Sequence, residues 1–218
     1  MNTNSYWKKW TLACGAGEFI GIGMAAGIAI LYNHLAGEPR SLPEKFSNLL
    51  IMMLAGALEG LILASFQWRI LQEKIPKLPA WQWKLATTFI AVSGWCLGMI
   101  FPLFIMEAPD RPVVFDPPLV LIAFISLGGG FVLGGLFGLV QWFVLRKYVS
   151  NSSSWILSNA VGWSIGLLWI DIAATWPDTT TPGYLILLSG VIGGILAGLS
   201  VGGVTGWVLK KWVNSTLT

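Results

Sequence analysis

Polar residues along this chain come in short bursts, separated by six long apolar runs. These are Thr11 to Tyr32, Ser47 to Ile70, Leu85 to Met106, Leu119 to Leu145, Trp155 to Trp176 and Tyr184 to Leu209. Each is about 20 residues or longer, enough for an α-helix to cross roughly 30 Å of hydrocarbon. The segments between them are polar or punctuated. Asn33 to Phe46 holds Pro39 and Pro43 and reads as a loop, and Leu71 to Lys84 is a basic connection. Glu107 to Pro118 is too rich in proline for regular helix. Arg146 to Ser154 and Pro177 to Gly183 read as short turns. The pattern predicts an all-α membrane protein with six transmembrane helices, forming a single integral membrane domain over residues 1–218.

Within the even-numbered runs a second pattern appears. Gly56, Gly60 and Ala64, then Gly130, Gly134 and Gly138, then Gly194, Gly198 and Gly202 place a small residue at every fourth position. Such a glycine zipper makes a flat stripe on one helix face, and in lipid that stripe is a packing surface. Gln67-Trp68, Gln141-Trp142 and Thr205-Gly206 follow the three stripes in turn. The odd runs carry a leading aromatic and a Gly-x-x-x-Gly pair. Trp10, Gly17 and Gly21 share their spacing with Trp155, Gly162 and Gly166, and the glycine pair recurs as Gly94 and Gly98. An odd and an even run together make a helical hairpin, repeated approximately over 7–72, 81–147 and 155–212. Hairpins repeated in one orientation predict a quasi-threefold bundle about the membrane normal. The first run is longer than the core of a secretory signal and carries the repeat spacing, so it is expected to be retained.

Composition agrees with a lipid-facing chain. It is 55% hydrophobic and 11% charged, against about 25% charged in an ordinary soluble domain. Many of its 13 tryptophans stand where apolar runs meet charge, as an interfacial aromatic belt would. Ten of the 13 Lys and Arg residues lie in the tails and in the 2–3 and 4–5 connections, against three in the opposite loops. By the positive-inside rule both termini are then cytoplasmic. Cys14 and Cys96 have no metal-ligand spacing, and with the lone His34 they form no metal site. No hydrolase, nucleotide or metal-helix motif is present, so no cofactor and no enzymatic activity are expected. The GGG of Gly128 to Gly130 lacks the Lys-Ser/Thr of a phosphate loop and lies in an apolar run.

Candidate chemistry lies where the repeats depart from one another. Glu18 stands where Trp95 and Trp163 are expected in the other copies, and Glu59 where Leu133 and Ala197 are. Glu18 lies about 12 Å along its helix from Trp10, and Glu59 about 15 Å along the next from Arg69. Antiparallel neighbours could bring these two acids together near the midplane, as an interhelical clasp, as a proton or cation relay, or as an acceptor for a polar ligand. Gln67, Trp68, Gln141, Trp142 and Arg146 are expected at the membrane interface, capping carbonyls, bonding a neighbouring helix or meeting lipid phosphates. Asp171 is expected near the outer end of the fifth helix, in contact with water.

The run GLVQWFVLRKYVSNSSSWILSNAVGWSIG resembles uncharacterised bacterial membrane proteins with repeated Gln-Trp-x-x-Leu-Arg, Trp and Gly-Trp-x-x-Gly elements. The first copy departs with Gln72 for the basic residue, and the third with Thr205-Gly206 for Gln-Trp. The resemblance implies a bacterial inner or internal membrane and no particular activity. Size and six spans are also similar to the substrate-binding subunits of vitamin uptake transporters, but the threefold pattern does not favour that architecture. Taken together, these features lead to a non-enzymatic protein that packs helices and binds partners. Its surroundings are the bilayer, other membrane subunits or copies of itself, and nucleic acid is excluded. The alternatives are a small proton- or cation-coupled transporter or channel using Glu18 and Glu59, and an apolar pigment or lipid binder.

Overall fold

A computed structural model of the chain describes residues 3–106, 118–177 and 180–215. It contains six α-helices: α1 (Thr3–Ala36), α2 (Leu42–Leu71), α3 (Ala80–Ile100), α4 (Leu119–Leu145), α5 (Ser154–Thr175) and α6 (Gly183–Ser215). All six are long and apolar enough to cross a membrane, and among the described residues there is no strand. The chain is an all-α, six-helix membrane protein.

The helices extend further than the apolar runs. The stretch expected as a loop over Asn33 to Phe46 is largely helix termini. α1 continues to Ala36, where Gly37 takes the left-handed conformation (φ +74°) and its N–H reaches the Asn33 carbonyl. α2 begins directly after Ser41, whose side chain receives the Glu44 N–H while the Glu44 carboxylate receives the Ser41 N–H. This reciprocal cap, with Pro43 in the first turn where no N–H is needed, explains why a polar, proline-bearing segment can start a helix. α3 passes into a π-helical turn, Phe101–Met106. Pro102 has no N–H to give the ladder, and the turn widens there. The proline-rich Glu107 to Pro118 segment falls outside the described residues except for Pro118, the N-cap of α4.

Each helix packs on its neighbours in sequence, and α6 closes the ring against α1. Both termini lie at one end of the bundle, where the Lys210 ammonium donates to Asn4 Oδ1. All nine stripe residues are buried. A Cβ on Gly60 would come within 2.7 Å of Ala91 on α3; on Gly138, within 2.7 Å of Ile156 on α5; on Gly202, within 2.8 Å of Thr11 on α1. Each even helix thus turns its stripe toward the following odd helix.

The odd helices answer with glycines toward their own hairpin partner. Gly17 and Gly21 meet the backbone of Leu63 and Glu59, and Gly162 and Gly166 meet Val201 and Ala197. α3 and α4 touch least of the six neighbouring pairs. There Gly94 meets only the side chains of Leu133 and Phe137, and Ile90 lies one turn before it. Branched and aromatic bulk holds these two backbones apart where glycine lets the other hairpins close.

Candidate functional site

At the terminal end of the bundle three tryptophans meet. Trp10, Trp83 and Trp155 are buried, with ring centroids 5.8 Å apart for Trp10–Trp155 and 6.1 Å for Trp83–Trp155, both edge-on. Every indole N–H in the cluster finds an acceptor on an even helix. Trp83 donates to Gln67 Oε1 (3.2 Å), Trp155 to Gln141 Oε1 (2.9 Å) and Trp10 to Thr205 Oγ1 (2.8 Å). Both glutamine amides donate in turn to an odd helix: Gln67 to Cys14 Sγ (3.6 Å) and Gln141 to Thr87 Oγ1 (2.9 Å). A buried indole or amide left unpaired in lipid would be costly, so these bonds fix which helix faces which.

Gln67 and Gln141 are therefore buried in the bundle, and of the roles expected for them they take the bond to a neighbouring helix. Each extends toward a neighbouring helix, because the residue three places after a stripe shares the stripe's inward face. Trp68 and Trp142 are half-buried behind them; Trp68 donates to the Leu78 carbonyl, and the Arg146 guanidinium lies 5.0 Å from the Trp142 ring. Asp171 is not simply hydrated: its Oδ2 accepts from Ser126 on α4 at 2.6 Å.

The tryptophan cluster corrects one register. Because Trp83 sits with Trp10 and Trp155, counting along each helix places Ala91 and Trp163, not Trp95, level with Glu18. The same count sets Gly94 level with Gly21 and Gly166, and Ile90 level with Gly17 and Gly162. Gly94 and Gly98 thus lie one turn further along α3 than Gly17 and Gly21 do along α1 or Gly162 and Gly166 along α5.

Further into the membrane lie the two acids. Glu18 (1% exposed) rests its side chain on Gly198 of α6, where a Cβ would come within 2.8 Å of it. Glu59 (7% exposed) lies across Gly21 of α1, and its Oε2 accepts from Trp95 Nε1 of α3 at 2.6 Å. Glu59 packs against Gly21, one turn of α1 beyond Glu18, and this sets the two carboxyls beside each other. No donor reaches either Glu18 oxygen; the polar group that faces it is the second carboxyl. Trp95, which the glycine spacing sets level with Glu18, instead bonds Glu59 and is the third member of the site. Its signal was an indole four residues beyond the buried Ala91, on the same face of α3.

Two of the cavities among the described residues lie elsewhere. One of ≈ 390 Å³ at the end away from the termini is lined by Trp169, Trp176, Leu185 and Ile192 of α5 and α6. The other, ≈ 510 Å³ at the terminal end, is lined by Ser150, Asn151, Trp207 and Lys211. Among the described residues no group of three His, Cys, Asp or Glu side chains could hold a metal ion.

Fold and site together define a multi-pass α-helical membrane protein with a carboxyl pair inside its bundle. No protein-family model, curated protein or solved structure matches the chain.

Proposed function

We propose that this is a non-enzymatic, multi-pass membrane protein whose bundle docks with partner subunits or with copies of itself. Its hairpins are three copies of one unit about a quasi-threefold axis, in a bacterial inner or internal membrane with both termini cytoplasmic. The observation that carries the reading is how the interior polar groups are used: Trp83 with Gln67, Trp155 with Gln141 and Trp10 with Thr205 bond each other across helices. Side chains committed in this way hold a bundle together. The least tightly packed pair, α3 and α4, is the side on which a partner helix would gain most contact. Crosslinking in native membranes, followed by native electrophoresis, is expected to give a species larger than one chain. A single chain alone, combined with proton or sodium flux in liposomes, would replace this reading with transport.

The transport reading has one observation in its favour, the Glu18 carboxyl that no donor reaches. A relay group must be free to take and release its charge, and a clasp member would have spent its hydrogen bonds.

A further inference from the structure

An intramembrane acid needs a hydrogen-bond donor, a cation or a proton, and the surroundings of Glu18 decide among these. Both of its oxygens are buried acceptors without a donor. Among the described residues the groups that face it from each packed element are few. α2 presents Glu59 and α1 itself Cys14, one turn toward the termini, while α6 presents Gly198 flanked by Ala197. No Lys, Arg or His is among them. Two carboxylates side by side without a cation would each be desolvated and would repel each other.

A multi-atom ligand does not fit this place. The glycine backbone of α6 lies directly against the Glu18 stem, and that of α1 against the Glu59 stem. A metal ion would need several oxygen ligands. Here one Glu59 oxygen is engaged by Trp95, and among the described residues no third acidic or histidine side chain joins the pair. A proton needs no added space and supplies the one thing the pair lacks, a donor.

We propose that Glu18 and Glu59 form a proton-binding site that holds one proton between them, carried by Glu18 and donated to an ionised Glu59. The Trp95 indole gives the asymmetry. Its N–H donates to Glu59 Oε2 at 2.6 Å, and a donor to a carboxyl favours that group's ionised form. Glu18 has no such donor, so the proton rests there. α1, α2 and α3 are tied together by the chain Glu18, Glu59, Trp95, and release of the proton would leave two facing carboxylates and loosen that tie. The inference is independent of partner docking, since it concerns the bundle's interior alone.

Infrared spectroscopy of the full chain in lipid nanodiscs reads this directly, because a neutral carboxyl and a carboxylate have distinct C=O bands. At neutral pH the difference between wild type and Glu18→Gln should contain one neutral-carboxyl band per chain, lost in the variant. The same band should shift in Trp95→Phe, where Glu59 loses its other donor and pulls harder on the shared proton. Absence of the band in wild type would overturn the proposal, as would its survival in Glu18→Gln together with loss in Glu59→Gln, which would put the proton on Glu59. Loss of the wild-type band on adding sodium chloride would show that a metal cation takes the site instead. Should Glu18→Gln not fold, the Trp95→Phe shift carries the test, and an unmoved band overturns the shared proton.

Discussion

Single side chains in this bundle matter through the partners they would strand. Gln141 receives the Trp155 N–H and gives its own to Thr87, linking α3, α4 and α5. Gln141→Leu strands the buried indole and is expected to cost about 1–3 kcal/mol. Thermal unfolding in mild detergent should register it as a lower midpoint, whereas Gln72→Leu, at an exposed position, should change little. At the acid pair, Glu18→Gln keeps a donor for Glu59 and should stay within about 1 kcal/mol of wild type. Glu18→Leu removes that donor beside a buried charge and should cost on the order of 2 kcal/mol. Equal stability of the two variants in the same assay would mean that Glu59 does not depend on Glu18. The similar depth of these acids in α1 and α2 was legible in the sequence. Trp95 as the donor was not, because the glycine spacing sets it level with Glu18, one turn from where the tryptophan contacts place it.

Helices here meet through absent side chains. At Gly134 a Cβ would come within 2.6 Å of the Trp163 Cβ and closer still to the Asn159 carbonyl, so even alanine would force α4 and α5 apart. Gly134→Leu is expected to cost about 3 kcal/mol or more, while Leu136→Ile on the exposed face should be nearly silent. Chemical denaturation in detergent distinguishes them, and equal tolerance of both would refute close packing at the stripe. The α3–α4 pair lacks this closeness, since Ile90 occupies the level of Gly17 and Gly162. Hydrogen exchange should therefore be faster on the facing sides of α3 and α4 than on those of α4 and α5. Which residues would form stripes could be read from their spacing. The face each stripe meets could not, because spacing along one helix says nothing about which neighbour lies there.

For the molecule as a whole, the ten-to-three distribution of basic residues sets the expected orientation. A cysteine placed in the 109–118 segment should react with an impermeant reagent added outside intact cells. Reaction only after lysis would invert the topology and place both termini outside. The ring of helices depends on closure of α6 on α1, where Gly198 and Gly202 meet Cys14, Glu18 and Thr11. Blocking that contact with Gly202→Leu should open the ring and also disturb the Trp10–Thr205 bond one turn away, visible as a change in tryptophan fluorescence.

The sequence alone determined the helices, their number and their membrane character, since length and hydropathy suffice when backbone groups must be satisfied within each span. It also determined the small faces and the two interior acids, because each departs visibly from its surroundings along one dimension. Tertiary structure decided what those features touch. It set each stripe on the following odd helix, turned the two glutamines inward to the tryptophan cluster, and shifted the register of α3 by one turn. It also placed Trp95 on Glu59 while leaving Glu18 facing only another carboxyl. The physical reason is that packing and hydrogen bonding join residues far apart in the chain: Trp10 and Thr205 are separated by 195 positions yet share one bond. Periodicity along a single helix cannot encode that pairing.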